Sequence, residues 1–341
     1  MKHFFKRFLI AIFGLMATMN FGCNTGKTGE PAKEAAVSKF GKKMNIDIVR
    51  FNDKGAFELE QNAVKALKEA GYENGVDFEI RSRSAQSDMT TLAMLIDAAA
   101  TDNADLLITL HSQSLYTALK RAPKKNILFA LTSNPFILGA GNSDTEHLDN
   151  VSGVYYVPAS DLIIDAISKC LPAIDKLGII FKTGDIESAF QKQIILEAAQ
   201  SKKIEIIESG FTAESEISEA VMSLIDKRVN ALFQIYDSYN EISLPVLSKK
   251  CGDAKIPLFG YGCSDRLDMG MTMTAERPYE DMGKIFANMI ISVLKGTKPG
   301  NLPFLSNEFF NGSLYVNSKA AAATGLKIPN SVLAAAEKIA E

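Results

Sequence analysis

The sequence predicts an α/β protein of two doubly wound, Rossmann-like lobes, on two observations. The first is a kind of segment. Asp105-Leu106-Leu107-Ile108-Thr109-Leu110 and Val229-Asn230-Ala231-Leu232-Phe233-Gln234-Ile235 are mostly apolar runs that stop at polar groups, His111-Ser112 and Asp237-Ser238-Tyr239. A strand buried on both faces of a parallel sheet reads this way, and open α/β sheets bind ligands beyond the C-terminal ends of such strands. The second is a repeat. Aligning the two runs sets His111 against Asp237 and Ser112 against Ser238. On either side, 45–50 with a helix through 64–70 matches 176–181 with a helix through 194–199, and 126–130 matches 256–260. Two copies of one β-α-β-α-β series make two lobes whose strand ends can face each other, and 341 residues are ample for two cores. Asp237, at the mouth of the second run, is the first candidate for a ligand contact.

Residues 1–22 have the order of a processing segment: basic Lys2, Lys6 and Arg7, an apolar stretch over 8–19, and Gly22 immediately before Cys23. The stretch is short for a membrane span. A small residue followed by cysteine resembles a bacterial lipoprotein signal, in which Cys23 carries lipid and holds the protein to a membrane. Asn20 departs from that pattern, which usually has a Leu-like residue there; an ordinary secretory signal with an incidental cysteine is the other reading. Residues 23–43, rich in Gly, Lys, Thr, Ala and Glu, then form a flexible tether. The net charge of −3 becomes about −6 without the leader, which does not suit a nucleic-acid partner. Cys170, Cys251 and Cys263 are expected to be free. With no Cys-x-x-Cys pair and no His/Cys cluster, neither a metal nor a cofactor is expected.

The mature domain opens on a strand over 44–51. Its loop, Asn52-Asp53-Lys54-Gly55-Ala56-Phe57-Glu58, leads into a helix over 59–70 that Gly71 caps. As the first loop of a lobe it sets Asn52, Phe57 and Glu58 beside helix N–H groups that suit anions, although Phe57 and Glu58 are equally ordinary first-turn residues. A strand over 76–81 and a helix over 89–100 follow, with Ser87 or Asp88 as N-cap. His111-Ser112-Gln113-Ser114 then ends a strand and opens a helix. The hydroxyls of Ser112 and Ser114 can pair with a carboxylate, Gln113 belongs to the same corner, and His111 is either a hydrogen-bonded wall residue or a ligand contact. A strand over 127–131 ends in Thr132-Ser133-Asn134-Pro135, where Pro135 holds Asn134 extended at a cleft rim beside Ser133. Residues 139–150 read as a surface loop.

A strand over 151–155 and a helix over 162–171 lead to the second lobe. Its first strand, 177–181, is followed by Lys182-Thr183-Gly184-Asp185-Ile186-Glu187-Ser188, in which Glu187 is the candidate. After a strand over 205–208 and a helix over 217–225 comes a strand over 257–261. That strand ends in Tyr261-Gly262, both candidates, with plain core as the other reading of Tyr261. An extended run over 271–274 precedes a long helix through 294, which the cluster Lys295-Gly296-Thr297-Lys298-Pro299-Gly300 ends. The last strand covers 313–317 and a short helix 318–324. The lobes are expected to be 44–154 plus 278–312 and 155–277 plus 313–341.

From about 44 to 329 the chain resembles the ABC-transporter substrate-binding proteins that include the tryptophan- and tyrosine-binding lipoproteins, built on the type I periplasmic-binding fold. The resemblance is carried by the order and spacing of several pieces: Ala85-Gln86-Ser87-Asp88, the run 105–112, Ser133-Asn134-Pro135, Val151-Ser152-Gly153-Val154, Asp237-Ser238, the stretch 279–283, the breaker cluster with Leu294, and Tyr315-Val316-Asn317 with 321–325. It implies two lobes joined by three hinge crossings and closing on a small ligand. The family pattern has a hydroxyl at the position of Ser112 and a carboxylate at that of Asp237, both matched. It often has Asp at the positions of Asn134 and Gly262, and this departure implies a ligand with fewer cationic groups.

On this resemblance the protein is expected to be a monomeric, extracytoplasmic, lipid-anchored solute-binding protein that passes an amino-acid-like ligand to an ABC permease. Asp237 would accept hydrogen bonds from the ligand ammonium, Ser112, Ser114 and helix N–H groups would hold its carboxylate, and Phe57, Tyr239 and Tyr261 would pack on an aromatic or apolar side chain. A sensory binding protein that presents its closed form to a receptor is the alternative. No nucleophile with a base is evident, so no enzyme is expected. A LacI-type repressor would begin with a helix-turn-helix where this chain has a leader and tether.

Overall fold

Continuous burial along the central strands builds two sheets, each covered by helices on both faces. The computed structural model describes residues 37–53, 55–235 and 240–340; the leader, Cys23, most of the tether, and Asp237, Ser238 and Tyr239 lie outside the described residues. The first lobe is laid down as β1 (Met44–Arg50), α1 (Ala56–Glu69), β2 (Phe78–Ser84), α2 (Met89–Thr101), β3 (Leu106–Leu110), α3 (Ser112–Arg121), β4 (Ile127–Thr132) and β5 (Val151–Tyr155). The second follows as α4 (Ser160–Cys170), β6 (Lys176–Lys182), α5 (Ile186–Ser201), β7 (Glu205–Phe211), α6 (Ile217–Asp226), β8 (Ala231–Gln234), α7 (Asn240–Ala254), β9 (Leu258–Tyr261), α8 (Asp265–Asp268) and β10 (Met273–Glu276). The chain then returns to the first sheet with α9 (Tyr279–Leu294) and β11 (Leu305–Ser306). It ends in the second with β12 (Ser313–Asn317), α10 (Ser318–Ala323), α11 (Asn330–Leu333) and β13 (Ala336–Ala340).

The first sheet has the order β11-β5-β4-β3-β1-β2 and the second β13-β12-β10-β9-β8-β6-β7. The order β4-β3-β1-β2 in one recurs as β9-β8-β6-β7 in the other, so the repeat in the sequence is a repeat in space. All pairings in these stretches are parallel, and β12 runs antiparallel to β10. The two core clusters of the first lobe divide β3 by parity: Leu106, Ile108 and Leu110 face α1 and α9, while Leu107 faces α2 and α3. In β8, Ala231 and Phe233 face one cluster and Leu232 the other. Complete burial of both faces is what a continuous apolar strand encodes.

The chain passes between the sheets three times, after β5, after β10 and after β11. Arg277 gathers these crossings. Its buried guanidinium donates to the carbonyls of Val157 at 3.2 Å and Phe310 at 2.5 Å and pairs with Asp161 at 3.2 Å. Asn307 adds a bond by accepting from the Val157 N–H at 2.6 Å.

Several boundaries differ from expectation. The second strand starts at Phe78 because 73–77 form a turn, with the Val76 and Asp77 N–H groups on the Glu73 carbonyl. The end of the tether is ordered on the first lobe. The Lys39 N–H donates to the Asp77 carboxylate at 2.7 Å, Phe40 stacks on Tyr72 at 4.9 Å, and Lys42 pairs with Asp105 at 2.6 Å. Cys170 and Cys251 are free, buried thiols. No helix among the described residues is long and apolar enough to cross a membrane.

Candidate functional site

The C-terminal ends of β1, β3 and β4 lie side by side, and two distorted backbones mark them. His111, between β3 and α3, has φ 82° and ψ 156°, a region that side chains seldom adopt. Leu131 has φ 54°, where the β4–β5 register slips between Ala130 and Thr132. Bulges and strained residues of this kind re-aim side chains and cluster where ligands bind. Here they turn Ser112 and Ser133 toward the same edge as Asn52.

That edge is lined with polar atoms the protein does not use. Ser114 and Thr132 are fully buried and Ser112 nearly so, yet the hydroxyl of each lacks a hydrogen-bond partner of ordinary geometry, as does the side-chain oxygen of half-buried Asn52. Buried polar groups are normally paired, so a group of orphans at strand ends points to a solute that completes them. Ser112 and Ser114 also occupy the first turn of α3, whose unbonded N–H groups favour an anion. Gln113 is half-buried on the same turn.

The second lobe answers with a carboxylate. Asp185 caps α5 by accepting from the Ser188 N–H at 3.1 Å, which sends the next turn toward the first lobe. Glu187, on that turn, is buried and accepts a hydrogen bond from the Ser133 hydroxyl. Burial raises its carboxyl to about 6. The Ser112 and Ser133 hydroxyls pull in the opposite direction, and the like-charged Asp185 adds to the rise. Glu58, at the start of α1, has its carboxyl raised by desolvation and by Asp265 of α8, so two acids face each other from opposite lobes.

Other sequence candidates take other places. Asn134 turns its carboxamide oxygen onto the N–H groups of Phe136 at 3.0 Å and Ile137 at 3.2 Å, capping its own turn. Tyr261 belongs to the core of the second lobe: its ring meets Phe233 edge-on at 4.9 Å, its hydroxyl bonds Ser160, and burial holds its phenol well above the usual range. Phe57 is 51% exposed, under the Arg50 guanidinium at 6.0 Å. Gly262 has φ 129°, and a Cβ there would lie 2.8 Å from Cγ of Arg266. The buried Arg266, which the sequence reading passed over, thus fills the space a side chain at 262 would take. Its only signal was an arginine inside the Ser264-Asp265-Arg266-Leu267 turn after a buried strand. Among the described residues no set of His, Cys, Asp and Glu is grouped to hold a metal ion.

The model of the family described as ABC transporter substrate binding protein matches residues 45–340. The chain belongs to that family. As such it is a substrate-binding component of an ABC transporter, and its family is one of solute-binding proteins that work outside the cytoplasm. It is 25% identical over 293 residues to the tyrosine-binding protein of Clostridioides difficile (strain R20291), covering 85% of this chain and 84% of that one. Among solved structures, the ABC domain in complex with L-Trp from Streptococcus pneumonia superposes with a TM-score of 0.78 at 19% identity, over 87% of this chain and all (100%) of that one. The ligand-free, open structure of a substrate binding protein with adhesive properties from Clostridium difficile gives 0.70 at 23% identity, over 87% and 99% of the two chains. These likenesses carry the fold: two parallel-rich sheets in the type I periplasmic-binding arrangement.

Proposed function

We propose that this protein captures a small amino acid, aromatic ones foremost, between its lobes and delivers it to a membrane permease. The observation that carries this reading is the pairing of walls: the orphaned hydroxyl of Ser114 and the N–H groups of the first turn of α3 suit a carboxylate, and buried Glu187 opposite suits a donor. The names of the tyrosine-binding relative and the L-Trp-bound structure point the same way. In this reading the ligand carboxylate sits at the start of α3, and its ammonium meets carboxylates carried by the second lobe, Asp237 among them. Ser238 and Tyr239 belong to the same wall, with Tyr239 and Phe57 against the ligand side chain.

The moving bodies are 44–154 with 278–312 and 155–277 with 313–341. They close because the solute touches both only when they meet. The protein works as a monomer held to the membrane by lipid on Cys23. Calorimetry of the wild type and of Asp237→Ala against the twenty amino acids tests the proposal. An aromatic amino acid is expected as the tightest binder, and unchanged affinity in the variant removes Asp237 from the site.

A further inference from the structure

Among the buried acids, Asp77 accepts from the backbone N–H groups of Lys39 and Glu73 and Glu276 from the Tyr156 hydroxyl, while Asp47 and Glu187 differ in the charge around them. Asp47, fully buried in β1, is matched by Arg81 at 2.7 Å and Arg83 at 3.2 Å. Glu187 is buried to a similar degree, but its partners are hydroxyls, and the one charge that acts on it, Asp185, has its own sign. Among the described residues it enters no salt bridge. A carboxylate taken out of water with only neutral donors is costly, and a cation at contact offsets that cost. Asp47 is given its cations by the fold itself; Glu187, at the gap between the lobes, is not.

We propose that Glu187 is the specificity residue that receives the cationic group of the solute, held for that purpose by Ser133 of the opposite lobe. This rests on the amino-acid reading above and deepens it. Because the Ser133 hydroxyl reaches Glu187 across the gap between the lobes, the carboxylate is aimed only when they are together, so recognition of the cation and closure are one event. The α3 turn, with the orphaned hydroxyl of Ser114, takes the opposite charge, so a zwitterion spans the two walls. A solute without a cation leaves Glu187 buried and unmatched. Discrimination that strands a buried polar group is steep.

Calorimetry on wild type, Glu187→Gln and Ser133→Ala tests this with L-tyrosine and L-tryptophan, their N-acetyl forms, which lack the cation, and tyramine and tryptamine, which lack the anion. The wild type is expected to bind the cation-bearing forms and to reject the N-acetyl forms. Glu187→Gln should lose about 10- to 100-fold on every cation-bearing form, the range expected for one hydrogen-bonded charge. Ser133→Ala, which misaims the carboxylate but keeps it, should lose less. Amines that bind through Glu187 while both amino acids fail sustain the inference and remove the amino-acid reading. N-acetyl forms that bind as tightly as their parents, or a Glu187→Gln affinity equal to wild type, overturn the inference and spare that reading. A wild type that binds none of the cationic forms overturns it too. Melting curves of both variants confirm that they fold.

Discussion

Replacing Glu187 by Gln keeps the shape of the side chain and removes its charge, so it isolates the energetic consequence of burying that charge. The carboxyl rises from an ordinary 4.5 to about 6, chiefly through burial. A folded-state pKa above the unfolded one means that the native protein binds this proton more tightly. Its stability therefore falls as pH climbs from about 4.5 through about 6, and the full penalty applies above that window. At 1.36 kcal/mol per unit the penalty is about 2 kcal/mol. Urea denaturation of unliganded wild type and Glu187→Gln at pH 4 and pH 7.5 measures it, because contributions from other groups cancel in the difference between the two proteins. The variant's advantage over wild type should grow by about 2 kcal/mol from pH 4 to pH 7.5. A difference that does not change with pH would refute the argument that Glu187 is charged, buried and unmatched. The variant that folds more stably should also be the one that binds worse, as expected where a site carries strain for its ligand.

Ser114→Ala should change stability by less than about 0.5 kcal/mol, since its hydroxyl has no partner to lose, while calorimetry shows weaker binding of carboxylate-bearing solutes by about tenfold. Gly153→Ala should destabilise by about 3 kcal/mol in urea, because the added Cβ would lie 2.2 Å from the backbone oxygen of Phe129, which a sheet strand cannot move aside. Asp88→Ala removes the N-cap that accepts from the Thr91 N–H at 2.6 Å and should lower the urea midpoint without changing the slope. Arg277→Ala strips three contacts from the crossings and should lower the urea midpoint by the equivalent of about 3 kcal/mol.

The strands and helices that carry the sheets were legible because each is governed by its own pattern: β3 and β8 as mostly apolar runs, Asp88 as a cap, Lys295-Gly296 as a stop. What escaped depends on distant partners. Ala336-Glu337-Lys338-Ile339-Ala340 favours a helix by composition, yet it is a strand because β12 offers it an open edge. The candidate site divides the same way. Ser112 and Ser114 are singled out by their position after an apolar run, whereas the bond from Ser133 to Glu187 joins residues 54 positions apart. Asn134 and Tyr261 stand at strand ends in the sequence; the structure adds that the Asn134 carboxamide caps a local turn and the Tyr261 ring packs in the second core, which spacing cannot reveal.

Arg277 sits where the three connecting strands of chain meet, and that location has a mechanical consequence. Two of its carbonyl partners belong to two different connections, so neither can slide without pulling on the other through one shared guanidinium. The three connections therefore form a sewn spine rather than three loose ribbons. For the closure proposed above, a small slip at the stitching would be magnified at the page edges, so a change at Arg277 is expected to alter how quickly a solute enters and leaves.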